Sequence, residues 1–436
     1  MKRLGKVAAV FSTAALSLGL MSGCAGGGSS ESVDASAVKD GKIAGDITFQ
    51  TWSLKTDKFT PYFENLIKEF EKKYPDVHVK WMDQPGDGYE DKLLQQANSD
   101  QLPDVVNVPP EYALSLAKAG KLLDLKAADE AAIKNYVAGG TKAYEFHGID
   151  GTYAYPWYLG VSFNYWNKDA LAAAGLDPAN PPASEEEYLK AANQAADKHI
   201  ALLNTVPGAG FFAAHGIKVF DEGKREFVFN TPDAVKMLED YAAAYQKGAM
   251  PAELITKVDD GTPANEAFYK GTLGNIQSTP SFADNLKTDA PSLVDKVTVT
   301  EPWETPQLLV QGIAVSGQSK NAAAALAFAQ FVTNNDNQVA FVKIAKGFMP
   351  GTVEGNKNPD FAAEDDTDLM KAALEVSAKT VQRAELLTPI EMNNEMKTAI
   401  LQEVSAAMQG DKSAKDALDA AVKKCNEMMK DIDSDK

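Results

Sequence analysis

Asp46-Ile47-Thr48-Phe49-Gln50-Thr51-Trp52 has the two-residue period of a strand, with Ile47, Phe49 and Thr51 on one face and Thr48, Gln50 and Trp52 on the other. Thr60-Pro61 follows as an N-cap and first-turn proline. The helix they open carries Phe63, Leu66, Ile67, Phe70 and Tyr74 on one face, and Pro75 stops it. Val77, Val79 and Trp81 alternate as a second strand. Asp83 to Gly88 is a loop, and Tyr89, Leu93 and Ala97 mark a second helix at spacings of four. Val105-Val106-Asn107-Val108 is a short buried strand. Strand, helix, strand, helix, strand predicts a parallel sheet covered by helices, an α/β fold.

A second α/β unit follows. Val161, Phe163 and Tyr165 alternate, and Asn167 caps the helix that ends at Gly175. His199 to Leu203 is strand-like. Ser184-Glu-Glu-Glu187 is a capping-box pattern ahead of Tyr188, Ala191 and Ala195. Thr231-Pro232 opens a helix with Val235, Leu238, Ala242 and Tyr245 inward and Gly248 just past its end. Residues 320–333 form an alanine-rich helix stopped by Asn334-Asn335, and the last third is mostly helical with a break at Gly410.

The N-terminal end carries a different message. Lys2, Arg3 and Lys6 precede an apolar run from Val7 to Leu20, then Met21-Ser22-Gly23-Cys24. Basic residues, a short apolar run and small residues before the cut describe an export signal over 1–23. The run is shorter than the roughly 20 apolar residues a membrane-spanning helix needs. A cysteine placed directly after the small residues resembles the lipobox of bacterial lipoproteins. That resemblance implies cleavage before Cys24 and a lipid on its sulfur and amine. Residues 24–44, rich in Gly, Ser, Ala and charge, then read as a lipid-anchored flexible tether. The folded part is expected at the extracellular face of the cell membrane, and a lone anchored cysteine on a Gly-rich tether suits a Gram-positive cell.

At 436 residues, 44% apolar and with five Trp, the chain can build two ordinary domains. Its formal net charge is −18, and removing Lys2, Arg3 and Lys6 with the signal takes it three units lower. Such a surface repels nucleic acid and anionic lipid. With Cys24 lipidated, Cys425 has no partner, so a disulfide framework and a cysteine-based metal site are both excluded. Cys425 shares a helical face with Leu418, Val422 and Met429, which predicts a buried, inert thiol.

Several stretches, in order, resemble the extracellular solute-binding proteins of the maltose-binding type. They are Tyr74-Pro75-Asp76-Val77-His78-Val79, then Leu102-Pro103-Asp104-Val105-Val106, then Leu116-Ala-Lys-Ala-Gly120-Lys-Leu-Leu-Asp-Leu125. The most specific is Gly151-Thr-Tyr-Ala-Tyr155-Pro156-Trp157 with Phe163-Asn-Tyr165-Trp-Asn167-Lys168-Asp169. Phe229-Asn230-Thr231-Pro232-Asp233 and Gly312-Ile-Ala-Val-Ser316 extend the match toward the C-terminus. The resemblance implies a two-lobe periplasmic-binding-protein-like fold, each lobe a mainly parallel sheet flanked by helices. It also implies three hinge crossings, near Tyr155–Val161, Gln307–Gly312 and Gly347–Gly351. Lobe 1 is expected over 45–157 plus 312–347 and lobe 2 over 158–311 plus 348–436. The implied function is the substrate-binding component of an ABC importer that delivers a carbohydrate, an oligosaccharide, to membrane permease subunits. The protein is then a monomer, needs no cofactor and is no enzyme.

A sugar offers C–H faces for aromatic rings to stack on and hydroxyl edges for polar side chains. Candidate contacts are therefore aromatic and polar residues in loops just after strands. Trp52, Asp83 with Gln84, and Glu111 with Tyr112 follow the first three strands. Trp157 and Tyr158 sit at the first crossing. Phe211 and Phe212 lie after the His199–Leu203 run, in the glycine-rich turn, and Trp303 with Glu304 precede Gly312. Glu391 to Asn394 mark a break before the C-terminal helix, where the family often has an aromatic and this chain has Met392 and amides. Trp157 and Trp303 are the favoured stacking residues, while Trp81 and Trp166 read as core.

Other chemistries are weaker. Ser115-Leu-Ala-Lys118 matches the Ser-x-x-Lys of penicillin-binding enzymes, but neither Lys-Thr-Gly nor Ser-Asp-Asn accompanies it. Gly208-Ala-Gly210-Phe-Phe-Ala213 is a loose dinucleotide pattern with little use outside a cell. His78, His147, His199 and His215 lack metal-ligand spacing and read as surface or loop residues. An extracellular glycoside hydrolase needs two carboxylates across a sugar cleft, which Glu111, Glu304 and Asp83 supply in principle. A binding protein for a non-sugar polar solute and an adhesive surface lipoprotein are the remaining alternatives.

Overall fold

A computed structural model gives the fold and describes residues 43–255, 262–357, 361 and 366–434. The export signal, Cys24 and the tether up to residue 42 lie outside the described residues. Eleven strands are present among those described: β1 Gly45–Trp52, β2 Val77–Gln84, β3 Val105–Val108, β4 Tyr155–Val161, β5 Phe163–Asn167, β6 Phe220–Asp221, β7 Glu226–Phe227, β8 Asn275–Ser278, β9 Val297–Thr300, β10 Leu308–Val315 and β11 Met349–Pro350. Six form one sheet in the order β11-β4-β10-β3-β1-β2, and three form a second in the order β8-β5-β9. β6 and β7 form a small hairpin.

Strand direction departs in part from the expected parallel sheets. β1 pairs in parallel with β2 and β3, joined by the helices Thr60–Lys73 and Tyr89–Asn98. β10 is antiparallel to both β3 and β4, and β11 is antiparallel to β4. The three-stranded sheet is antiparallel throughout. The cause is the repeated crossing of the chain. β1 to β4 run one way and β4 leads out of the first sheet, so the returning strands β10 and β11 must run the other way. In the second sheet β5 carries the chain away from the junction, and β8 and β9 bring it back. Carboxyl ends of strands from both sheets therefore meet at the junction, the position where α/β sheets bind ligands.

The β4–β10 ladder runs from Leu308 opposite Val161 to Ile313 opposite Tyr155, with an irregularity between Gln311 and Gly312. Gly312 is needed there: a Cβ at that position would lie 2.6 Å from the Tyr144 ring. Tyr144 in turn donates to the Val108 carbonyl at 2.8 Å, which ties the ladder to β3. Under the first sheet the alanine-rich helix Ala322–Val332 brings Phe328 edge-on to Phe49 and Phe70, with ring centroids 5.2 and 4.9 Å apart. Alanine allows this close approach because it has little side chain to clear.

Local signals in the sequence match the helix ends with two exceptions. Asn167, Ser184 and Thr231 accept hydrogen bonds from Ala170, Glu187 and Ala234 as caps. Thr60 is not a cap: Thr56 accepts from the Thr60 amide at 2.8 Å, so turning begins earlier and Phe59 holds the cap position. The His199–Leu203 run forms a single bridge, Ala201 to Leu273, because His199 turns the backbone to φ 57°. The C-terminal helices Asn394–Gln409 and Ala414–Ser434 break at Gly410, φ 87°, and pack on the helix Pro232–Gln246. Cys425 is buried among them with Leu418, Val422 and Met429, and burial pushes its thiol up to about 11.

Candidate functional site

Two cavities open where the strand ends meet. One, of about 530 Å³, is walled by β8, the loop Pro302–Gln307 and the helix Ala209–Ala214. The other, of about 820 Å³, is a groove between the ends of β1 and β3, the strands β4 and β10, and the segment 386–397. Gln307 lines both. Its Oε1 accepts from the Leu387 and Thr388 amides at 3.2 Å each, and its Nε2 donates to the Leu308 carbonyl at 2.8 Å. It thus pins the 385–388 segment against the second crossing, at the point where the cavities adjoin.

The smaller cavity takes Phe211, Trp303 and Glu304 from the expected contacts. Trp303 is held by its ring nitrogen, which donates to Glu185 Oε2 at 2.9 Å, and by Tyr188, whose ring centroid lies 5.1 Å away. Glu185 Oε2 also faces His215 Nε2 at 3.2 Å, and His215 Nδ1 faces the Phe211 carbonyl at 2.8 Å. Both ring nitrogens face oxygen atoms that accept, an arrangement that favours the protonated ring. Desolvation alone would lower the His215 pKa, but its hydrogen bonds to Glu185 and Phe211 outweigh that and raise it. At Glu185 desolvation opposes ionisation, and the hydrogen bonds of His215 and Tyr241, the charge of His215 and the Trp303 hydrogen bond overcome it and lower the pKa. Glu304 Oε1 accepts from Gln277 Nε2 at 2.6 Å. Glu304 Oε2 is buried and accepts nothing.

The groove takes Trp52, Glu111, Tyr112, Tyr158, Glu391 and Asn394. Trp52 stacks on Tyr89 at 5.8 Å between centroids, and its ring nitrogen is buried without an acceptor. Tyr89 lies 6.3 Å from the Tyr112 ring, so the three rings form one aromatic wall. Opposite, Tyr158 packs on Phe348 at 4.8 Å. Leu309 and Phe348 are the exposed large apolar side chains among the described residues, and both face this groove. Glu391 pairs with Arg225 at 3.8 Å. Asn393 caps the following helix through the Met396 amide, which leaves Asn394 on the groove side.

Four expected contacts sit elsewhere. Trp157 is fully buried, packed against Phe63, Tyr158 and Phe341, because alternation along β4 turns it inward when Tyr158 faces the groove. Phe212 is buried too, stacked on Phe229: the expected glycine-rich turn is the start of the helix Ala209–Ala214, and its neighbour Phe211 takes the cavity face. Asp83 accepts from Thr51 Oγ1 at 2.6 Å and from the Leu54 and Lys55 amides, so it fastens the turn after β1. Gln84 ends β2 opposite Trp52 and lines neither cavity. Among the described residues no group of three or more His, Cys, Asp or Glu side chains is placed to hold a metal ion, and no helix is long and apolar enough to cross a membrane.

A cleft of this kind between two α/β lobes agrees with what comparison finds. The family model described as bacterial extracellular solute-binding protein matches residues 65–371. The chain belongs to that family. This solute-binding protein is 25% identical over 360 residues to YcjN of Escherichia coli K12, provisionally named an ABC transporter periplasmic-binding protein, covering 78% of this chain and 77% of that one. It is 27% identical over 257 residues to the diacetylchitobiose-binding protein DasA of Streptomyces coelicolor, covering 57% of this chain and 58% of that one. Among solved structures, a Synechococcus sp. MITs9220 protein provisionally described as an oligosaccharide periplasmic-binding protein superposes with a TM-score of 0.76 at 26% identity, covering 88% of this chain and 99% of that one.

Several residues that line the smaller cavity were not singled out from the sequence. Glu185 reads as part of a capping box, and Ser184 and Glu187 do that work while Glu185 turns into the cavity. His215, expected at the surface or in a loop, is mostly buried against Glu185. Tyr188 reads as a core position of an amphipathic helix, and Tyr241 is not among the inward positions read from its helix; both are core that also forms a cavity wall. The available signal was His215 lying four residues after Phe211, which puts both on one helical face.

Proposed function

We propose that this solute-binding protein is the carbohydrate-capturing component of an ABC importer, and that its ligand is an oligosaccharide spanning both cavities. The observation that carries the reading is the pairing of ring faces with polar edges on either side of Gln307: Trp303, Tyr188 and Phe211 in one cavity, Trp52, Tyr112 and Tyr158 in the other. Rings suit the C–H faces of sugars, and carboxylates and amides suit their hydroxyls. Volumes of about 530 and 820 Å³ exceed the needs of one monosaccharide and lie in the range of organic ligand pockets. The diacetylchitobiose-binding and oligosaccharide-binding names of two relatives support the same class.

In this reading the lobes, 45–157 plus 312–347 and 158–311 plus 348–436, close over the sugar. Closure reports occupancy to the permease, because the ligand favours the closed state. The chain acts by capture, with no bond made or broken, and works as a monomer at the outer face of the membrane on a lipid attached to Cys24. Asp83 is committed to the β1 turn, which removes one of the carboxylates a hydrolase would need. The test is a thermal-shift screen of residues 25–436 against oligosaccharides, amino acids, peptides and polyamines, with the bound compound recovered afterward. A melting-temperature rise with a sugar that is recovered intact supports the reading. A shift confined to another class, or a cleaved sugar, overturns it.

A further inference from the structure

The charged side chains that line both cavities are mostly acidic. In the smaller one the buried Glu304 Oε2 accepts no hydrogen bond. Trp303 Nε1 donates to Glu185 Oε2 and Gln277 Nε2 to Glu304 Oε1, while Tyr241 on the same wall hydrogen-bonds Glu185. A buried carboxylate oxygen without a donor costs free energy, and the occupant of the cavity is what can supply the donor. The charge balance points the same way. The smaller cavity sets Glu185 and Glu304 against His215 alone. The groove sets Glu90, Glu111 and Glu391 against Lys397. Arg225 lies 3.8 Å from Glu391 at the edge of the groove, and Arg383 binds the backbone carbonyls of the cavity loop from outside the cavity.

We propose that Glu185 and Glu304 select ligands that donate hydrogen bonds and carry no negative charge, so that the cleft accepts neutral and amine-bearing oligosaccharides and rejects acidic ones. The inference rests on the carbohydrate reading above and narrows it. A sugar hydroxyl or ammonium reaching Glu304 Oε2 satisfies a buried acceptor. A uronate, sulfate or phosphate in the same place meets a fixed negative charge in a desolvated pocket, and like charges brought together there weaken binding strongly.

The test is titration calorimetry on residues 25–436 with matched trisaccharides. Maltotriose, cellotriose and galactotriose are the neutral set. Chitosan trimer is the amine form of the cellotriose backbone, and trigalacturonate and oxidised maltotriose and cellotriose are the carboxylate forms. On any backbone that binds, the carboxylate form is expected to bind about tenfold more weakly or worse, and the amine form as tightly as the neutral one or tighter. Glu304→Gln, checked for an unchanged melting temperature, is expected to narrow the gap between neutral and carboxylate forms. Glu185→Gln is the second variant, with the same expectation. A carboxylate form that binds within about tenfold of its neutral partner overturns the inference and leaves the carbohydrate reading standing. A gap that neither variant narrows also overturns it. Silence across the whole panel overturns both.

Discussion

His215 lies between two acceptors, Glu185 Oε2 at 3.2 Å from Nε2 and the Phe211 carbonyl at 2.8 Å from Nδ1. A ring held this way favours its protonated form, and its pairing with Glu185 supports the wall on which Trp303 rests. The linkage has a definite sign. The raised His215 pKa contributes stability that is complete below its ordinary 6.5 and is lost as pH rises through the folded value. The lowered Glu185 pKa contributes stability that is complete above its ordinary 4.5 and is lost as pH falls through the folded value. The pair therefore stabilises most between 4.5 and 6.5. Thermal melts from acidic to alkaline pH are expected to show this decline on the alkaline side, and His215→Asn is expected to flatten it. A wild-type and variant pair with the same alkaline slope would remove His215 from the account.

Trp157 and Tyr158 are neighbours with opposite duties. Replacing buried Trp157 by Ala opens a cavity against Phe63 and Phe341, at a cost of about 3–5 kcal/mol of stability. Tyr158→Ala removes a groove wall instead and is expected to weaken sugar binding about tenfold. Urea denaturation and calorimetry on both variants separate the two effects. Trp157→Ala with full stability and weakened binding would reverse the assignment.

Asp83 holds three donors across the turn after β1, where Ser53 takes φ 56°. Asp83→Ala strands those donors and is expected to destabilise by about 1–3 kcal/mol. Binding by the folded fraction is expected to change little. A loss of affinity at unchanged stability would return Asp83 to the ligand.

Arg383 is a positioning residue for the cavity loop. Its Nη1 donates to the Glu304 carbonyl at 2.6 Å and its Nη2 to the Pro302 carbonyl, so it brackets Trp303 without touching the cavity. Arg383→Met is expected to lower affinity about tenfold, as for one charge-assisted hydrogen bond lost, and to shift Trp303 emission to the red. Lys at 383 should recover part of both. A variant that melts lower with unchanged emission and affinity would make Arg383 structural only.

Much of the fold was legible because it is local. The alternation of Ile47 to Trp52 and of Val77 to Trp81, the caps at Asn167, Ser184 and Thr231, and the glycine break at Gly410 each depend on residues near in sequence. Strand direction after β4 was not legible in this way, since it follows from where the chain crosses and returns. The cleft was legible in outline: loops after strands named Trp52, Tyr112, Phe211 and Trp303. It failed where two adjacent aromatics compete for one face, as with Trp157 and Tyr158 or Phe211 and Phe212. There a shift of one position along the strand or helix decides between core and cavity. It failed again at Glu185 and His215, whose roles exist only because the helix starting at Glu185 and the one ending at Ala214 meet in space.

Trp303→Ala, titrated by calorimetry with the sugar that the thermal screen selects, tests the central claim most directly. Trp303 is held at the cavity wall by Glu185 and Tyr188 and is itself only partly buried. The account predicts affinity lower by about tenfold or more with the far-ultraviolet spectrum and melting behaviour of a folded protein. Unchanged affinity would contradict it and move the sugar out of this cavity.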